Sequence, residues 1–138
     1  MNYSQTGLML AASAFAVAVV IAAAPQARAD ADPAKEMATA ATHAGLAAKS
    51  TDMKMTQMHL HHVVNCLVGP SGTGFDATPG YPWKDQCTGA IPDTKDASQK
   101  AVLQLSLDKA NDGLKQTDMT AAQKDATDAQ ALLTQKSM

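Results

Sequence analysis

From Met53 to Cys66 the chain reads Met-Lys-Met-Thr-Gln-Met-His-Leu-His-His-Val-Val-Asn-Cys, so three of its four histidines and three methionines fall between Met53 and His62. On a helix advancing by about 100° per residue, spacings of three and four put Met55, Met58, His59, His62 and Cys66 on one stripe. His59 and His62 are one turn apart, which lets two imidazoles reach a single ion. Imidazole suits copper, zinc or nickel, and a thioether from Met55 or Met58 adds a soft ligand that favours reduced copper. The competing reading is structural: methionine at helical spacing fills cores, and a histidine at a core edge can bond a carbonyl without any metal. His61 points away from the stripe and is expected to face solvent.

Catalytic patterns are weak by comparison. Neither a Ser-His-Asp nor a Cys-His arrangement is suggested, because both cysteines are expected to be paired. The Glu-x-x-His pattern of di-iron bundles is missing, since Glu36 is the one glutamate of the chain. Haem is disfavoured too: the C-x-x-C-H attachment motif is absent, and Ala-rich helices offer little room for a large apolar pocket.

The elements that must position these residues read as helices. Asp32-Pro33 is an N-cap followed by proline at the first helical position, and Met37, Ala40, Ala44 and Ala47 then recur at core spacing as far as about Lys49. Ser50-Thr51-Asp52 is a turn and a second cap. Met53, Thr56, Leu60, Val63 and Leu67 form the apolar stripe of the second helix, which Gly69-Pro70 ends. Asp93-Thr94 is expected to cap a third helix with Leu103, Leu107, Ala110 and Leu114 on one face. Thr117-Asp118 caps a fourth, carrying Met119, Ala122, Ala126, Ala129 and Leu133. Gly45-Leu46 before Thr51-Asp52-Met53 is echoed by Gly113-Leu114 before Thr117-Asp118-Met119, as in two similar helical hairpins. If the first hairpin turns near Ser50-Thr51, His43 falls opposite Met58, within a turn of His59 and His62.

Between the hairpins, residues 69–92 read as a long loop that gathers Phe75, Tyr81 and Trp83. A disordered linker would not concentrate large apolar side chains, so the loop is expected to be packed down. Cys66 and Cys87 are expected to form a disulfide; free thiols on a soft metal are the alternative. Such a bridge draws the loop across the histidine stripe, which casts Phe75, Tyr81 and Trp83 as a lid over the histidines or as a contact for another protein.

Leu8 to Ala24 is an uncharged apolar run, followed by Pro25 and the small-x-small sequence Ala27-Arg28-Ala29. That is the pattern of a secretory leader, residues 1–29, leaving residues 30–138 as one domain in the periplasm or outside the cell. An uncleaved anchor is the other reading, although the run is Ala-rich and short for a span of about 20 residues. The 138-residue chain carries 11 Lys and Arg against 13 Asp and Glu, a net charge of −2, and the leader removes Arg28. Scattered charge with an acidic balance argues against a nucleic-acid role or a polybasic membrane surface, and no second apolar run could span a bilayer.

The leader, the Ala-Thr-His-Ala-Gly-Leu-Ala stretch around His43 and the Met-His-Leu-His-His run ending at His62 together resemble the small periplasmic metal-binding proteins of the SmbP type. The resemblance covers mainly residues 34–67. It implies an exported four-helix bundle, and His43, His59 and His62 are the positions onto which ligand roles carry over. Members of that family bear histidine on all helices, whereas here the last two helices have none and a Cys-bearing loop is added, which leaves one or two sites at most. The combined expectation is an all-α, up-and-down bundle of four helices, built from two hairpins with a disulfide-anchored loop between helices 2 and 3. It would be a non-enzymatic binder of copper, or of zinc or nickel, for buffering or handover. The alternative is a protein-interaction module of the cell envelope using the aromatic loop.

Overall fold

A computed structural model describes residues 31–80 and 86–135. Among these there are five helices and no strand: α1 (Pro33–Lys49), α2 (Met53–Val68), the single turn α3 (Ala90–Asp93), α4 (Ala97–Lys115) and α5 (Met119–Thr134). The expected leader, residues 1–29, lies outside the described residues, as do Tyr81 and Trp83. None of the described helices is long and apolar enough to cross a membrane.

Each long helix starts where an aspartate can bond the first free amides. Asp32 accepts from the amides of Ala34 and Lys35, Asp52 from Met55, Asp96 from Gln99 and Asp118 from Ala121. Three of these are the caps expected from sequence; the cap of α4 is not. Asp93 ends α3 and turns its carboxylate to the Thr88 hydroxyl at 2.7 Å, so the helix start moves to Asp96. The loop between the hairpins is correspondingly less irregular than its composition implies, since α3 occupies its end.

The short turns after α1 and after α4 set each pair side by side, and α1 also lies against α5 while α4 lies against α2. The enclosed core is small-residue on one side and branched on the other. Ala40, Ala44 and Ala47 of α1 and Ala122, Ala126 and Ala129 of α5 are buried, facing Leu60, Val63 and Leu67 of α2 and Leu103, Leu107 and Ala110 of α4. Met37 and Leu114, the remaining members of two expected stripes, pack at its edge. Close approach explains one glycine: a Cβ on Gly113 would press on Leu60 Cδ1 at 2.9 Å. Gly69, which ends α2, has φ of +71°, a conformation that side chains resist, and a Cβ there would strike the Thr88 carbonyl.

Near its C-terminal end the connecting segment is fastened to both helices of the first hairpin. Cys66 on α2 is bonded to Cys87, as expected from sequence, and both are buried. One residue on, the Thr88 amide and hydroxyl meet Glu36 Oε1 on α1. The Thr88 hydroxyl also contacts Asp93, and its one proton cannot serve two carboxylates. Burial pushes the Glu36 pKa up, while the two bonds from Thr88 work the other way.

Candidate metal centre

His43 is set by α1, and His59 and His62 by successive turns of α2. The antiparallel turn at Ser50–Asp52 delivers the expected register. His43 Nδ1 lies 3.3 Å from His59 Nδ1, and the His43 and His62 ring centroids are 4.8 Å apart. One nitrogen from each of His43, His59 and His62 falls within 4.8 Å of the others. Two imidazole nitrogens bound tetrahedrally to one ion at about 2.0–2.1 Å are about 3.3 Å apart. The His43–His59 pair already has that spacing.

All three rings are held neutral, the form that ligates. Burial lowers the His43 pKa to about 4, helped by its two neighbouring rings. Burial also lowers those of His59 and His62; for His62, bonds to the Pro79 and Gly80 carbonyls work the other way. His43 and His62 are buried, while His59 is half-buried and forms the water-facing side of the group.

His62 has a defined tautomer. Its Nε2 lies 3.1 Å from the Gly80 carbonyl, which can only accept, so Nε2 carries the proton and Nδ1 keeps the lone pair. A hydrogen bond between the facing nitrogens of His43 and His59 needs a proton on one of them. An ion would displace it to the far nitrogen of that ring, leaving both lone pairs inward.

Of the other residues singled out in the sequence, Met58 is half-buried next to His59, and Met55 is 40% exposed. Phe75 is half-buried in the connecting segment. His61, expected to face solvent, is half-buried with Nδ1 3.8 Å from Asp76 Oδ2, because the connecting segment folds back along α2. That segment was expected to cross the histidine stripe, and its described part reaches the stripe through Gly80.

Asn65 is the residue that sequence reading passed over. It is fully buried and grips the Asp76 backbone on both sides, donating to its carbonyl at 2.6 Å and accepting from its amide at 2.9 Å. Its signal was present, as a polar amide between Val64 and Cys66 on a buried helix face. Glu36 stands out in the sequence only as the one glutamate; a buried carboxylate in the first turn of an Ala-rich helix calls for a partner from elsewhere in the chain. No protein family, curated protein or solved structure matches the chain, so its function rests on the geometry of this site.

Proposed function

We propose that this protein is an exported, non-catalytic binder of one transition-metal ion, held by His43, His59 and His62 inside an up-and-down four-helix bundle. The observation that carries the reading is the convergence of three neutral ring nitrogens within 4.8 Å, from two helices, at a largely buried point. An all-imidazole ligand set supplies no negative charge. Since the cost of burying an ion rises with the square of its charge, a monovalent ion is accommodated best. Copper in its reduced state fits that preference, and Met58 offers it a soft fourth ligand. Half-exposed His59 gives the ion a way in and out, as buffering or handover in the periplasm would need. The disulfide and the leader-like N-terminal sequence fit an oxidising compartment. In kind this is close to the small periplasmic metal-binding bundles, with one site in place of many.

Calorimetric titration of the oxidised protein with copper(I) and with zinc, beside the His43→Ala/His59→Ala/His62→Ala triple variant, tests it. Binding of about one equivalent that the variant loses is the expected result. Weak binding that the variant leaves unchanged would make the histidines structural.

A further inference from the structure

The metal-binding reading leaves unexplained why the segment after Asp76 is fastened so firmly to α2. Asn65 does not bond to any histidine. It holds both backbone groups of Asp76, one turn beyond His62 on the same helix. From Asp76 the chain closes two local turns: Asp76 Oδ1 accepts from the Thr78 amide at 2.8 Å, and the Ala77 carbonyl accepts from the Gly80 amide at 3.0 Å. Those turns bring the Gly80 carbonyl to 3.1 Å from His62 Nε2. Hydrogen bonds and the five residues of backbone between them therefore link Asn65 to the ring of His62.

We infer that Asn65 is a positioning residue for the metal site: by clamping Asp76 it sets the turn whose Gly80 carbonyl fixes His62 in its Nε2–H tautomer, leaving Nδ1 as the ligating atom. This rests on the reading of His43, His59 and His62 as ligands. The chemistry favours it on two counts. A backbone carbonyl facing the far nitrogen of a ligating imidazole orients the ring and raises its basicity. An amide carries its donor and its acceptor on separate atoms, so it can satisfy a backbone N–H and a C=O at once; ionised Asp lacks the donor, and Leu lacks both. The complete burial of the Asn65 amide is accounted for by these two bonds. The loop is thereby part of the site and not merely attached by the disulfide, since Asn65 acts on residues 76–80 while Cys66 holds Cys87.

The test is carried out on the oxidised protein and its Asn65→Ala variant, by long-range proton–nitrogen spectra of the histidine rings without metal, then by titration with copper(I) and zinc. Wild-type His62 is expected as a single Nε2–H tautomer. In the variant it should average between tautomers, with ion affinity about 10- to 100-fold weaker. Should Asn65→Ala fail to fold, Asn65→Asp keeps the size and the acceptor for the Asp76 amide, and the same two shifts are expected. An Nδ1–H form of His62 in the wild type overturns the inference, as does a variant that loses thermal stability while its tautomer and affinity stay unchanged. The spectra need no metal. A protein that binds neither ion therefore removes the metal-binding reading and leaves the Asn65–His62 linkage to be decided separately.

Discussion

Acid should weaken this fold through His43 specifically. The ring is 2% exposed, and its pKa falls from 6.5 to about 4 on folding, chiefly because burial disfavours the charged form. The unfolded chain therefore takes up a proton first as the pH drops, and stability falls across the window from 6.5 down to about 4. At about 1.36 kcal/mol per pH unit the ceiling for this one ring is about 3 kcal/mol. Water reaches the cluster past half-exposed His59, and screening brings the expected loss between about pH 7 and about pH 4.5 nearer to 2 kcal/mol. Burial of His59 and His62 acts with the same sign. Glu36 acts with the opposite sign: its raised pKa means that its contribution is present at low pH and is lost as the pH rises through the folded value. The decisive quantity is accordingly a difference between proteins. Urea unfolding in the presence of chelator, at several pH values, is measured for the wild type and for His43→Gln, whose side chain does not titrate. The wild type should lose about 2 kcal/mol more than the variant over that interval. Parallel curves for the two proteins would refute the account, whatever their absolute stabilities.

Further expectations concern the framework that holds the cluster. Changing Cys66 and Cys87 together to serine removes a cross-link over 21 positions and should cost about 3 kcal/mol in chemical unfolding; an unchanged midpoint would mean that Asn65 and Glu36 hold the segment unaided. Leu60→Ala, at a fully buried site facing Gly113, should cost about 2–5 kcal/mol by denaturant titration. Gly69→Ala should destabilise by more than about 1 kcal/mol, because a Cβ at that positive φ meets the Thr88 backbone; a neutral effect would show that the α2 terminus can rearrange.

Much of this architecture was legible from local chemistry. Proline after Asp32, the aspartates at 52 and 118 and the glycine at 69 mark helix ends because caps and left-handed turns are satisfied by nearby backbone. The core stripes followed from periodicity, and fourteen of the positions so named are buried: Ala40, Ala44, Ala47, Thr56, Leu60, Val63, Leu67, Leu103, Leu107, Ala110, Ala122, Ala126, Ala129 and Leu133. The His43–His59–His62 meeting was legible as well, because an antiparallel hairpin with a short turn fixes which residues face each other.

What local chemistry could not decide was every contact made across long separations. Asp93 looked like a helix cap because Asp-Thr commonly is one; a hydroxyl at position 88 claims its carboxylate instead, and the cap passes to Asp96. Asn65, Glu36 and the Gly80 carbonyl have no partner within a helical turn, so periodicity says nothing about them. Their partners are fixed only when residues 76–80 lie along α2 and Thr88 meets α1. The amino-acid sequence by itself thus determined the helices, their faces and the pairing of three histidines. The tertiary structure alone decided which tautomer His62 adopts and what holds it there, because that depends on a backbone carbonyl 18 positions away.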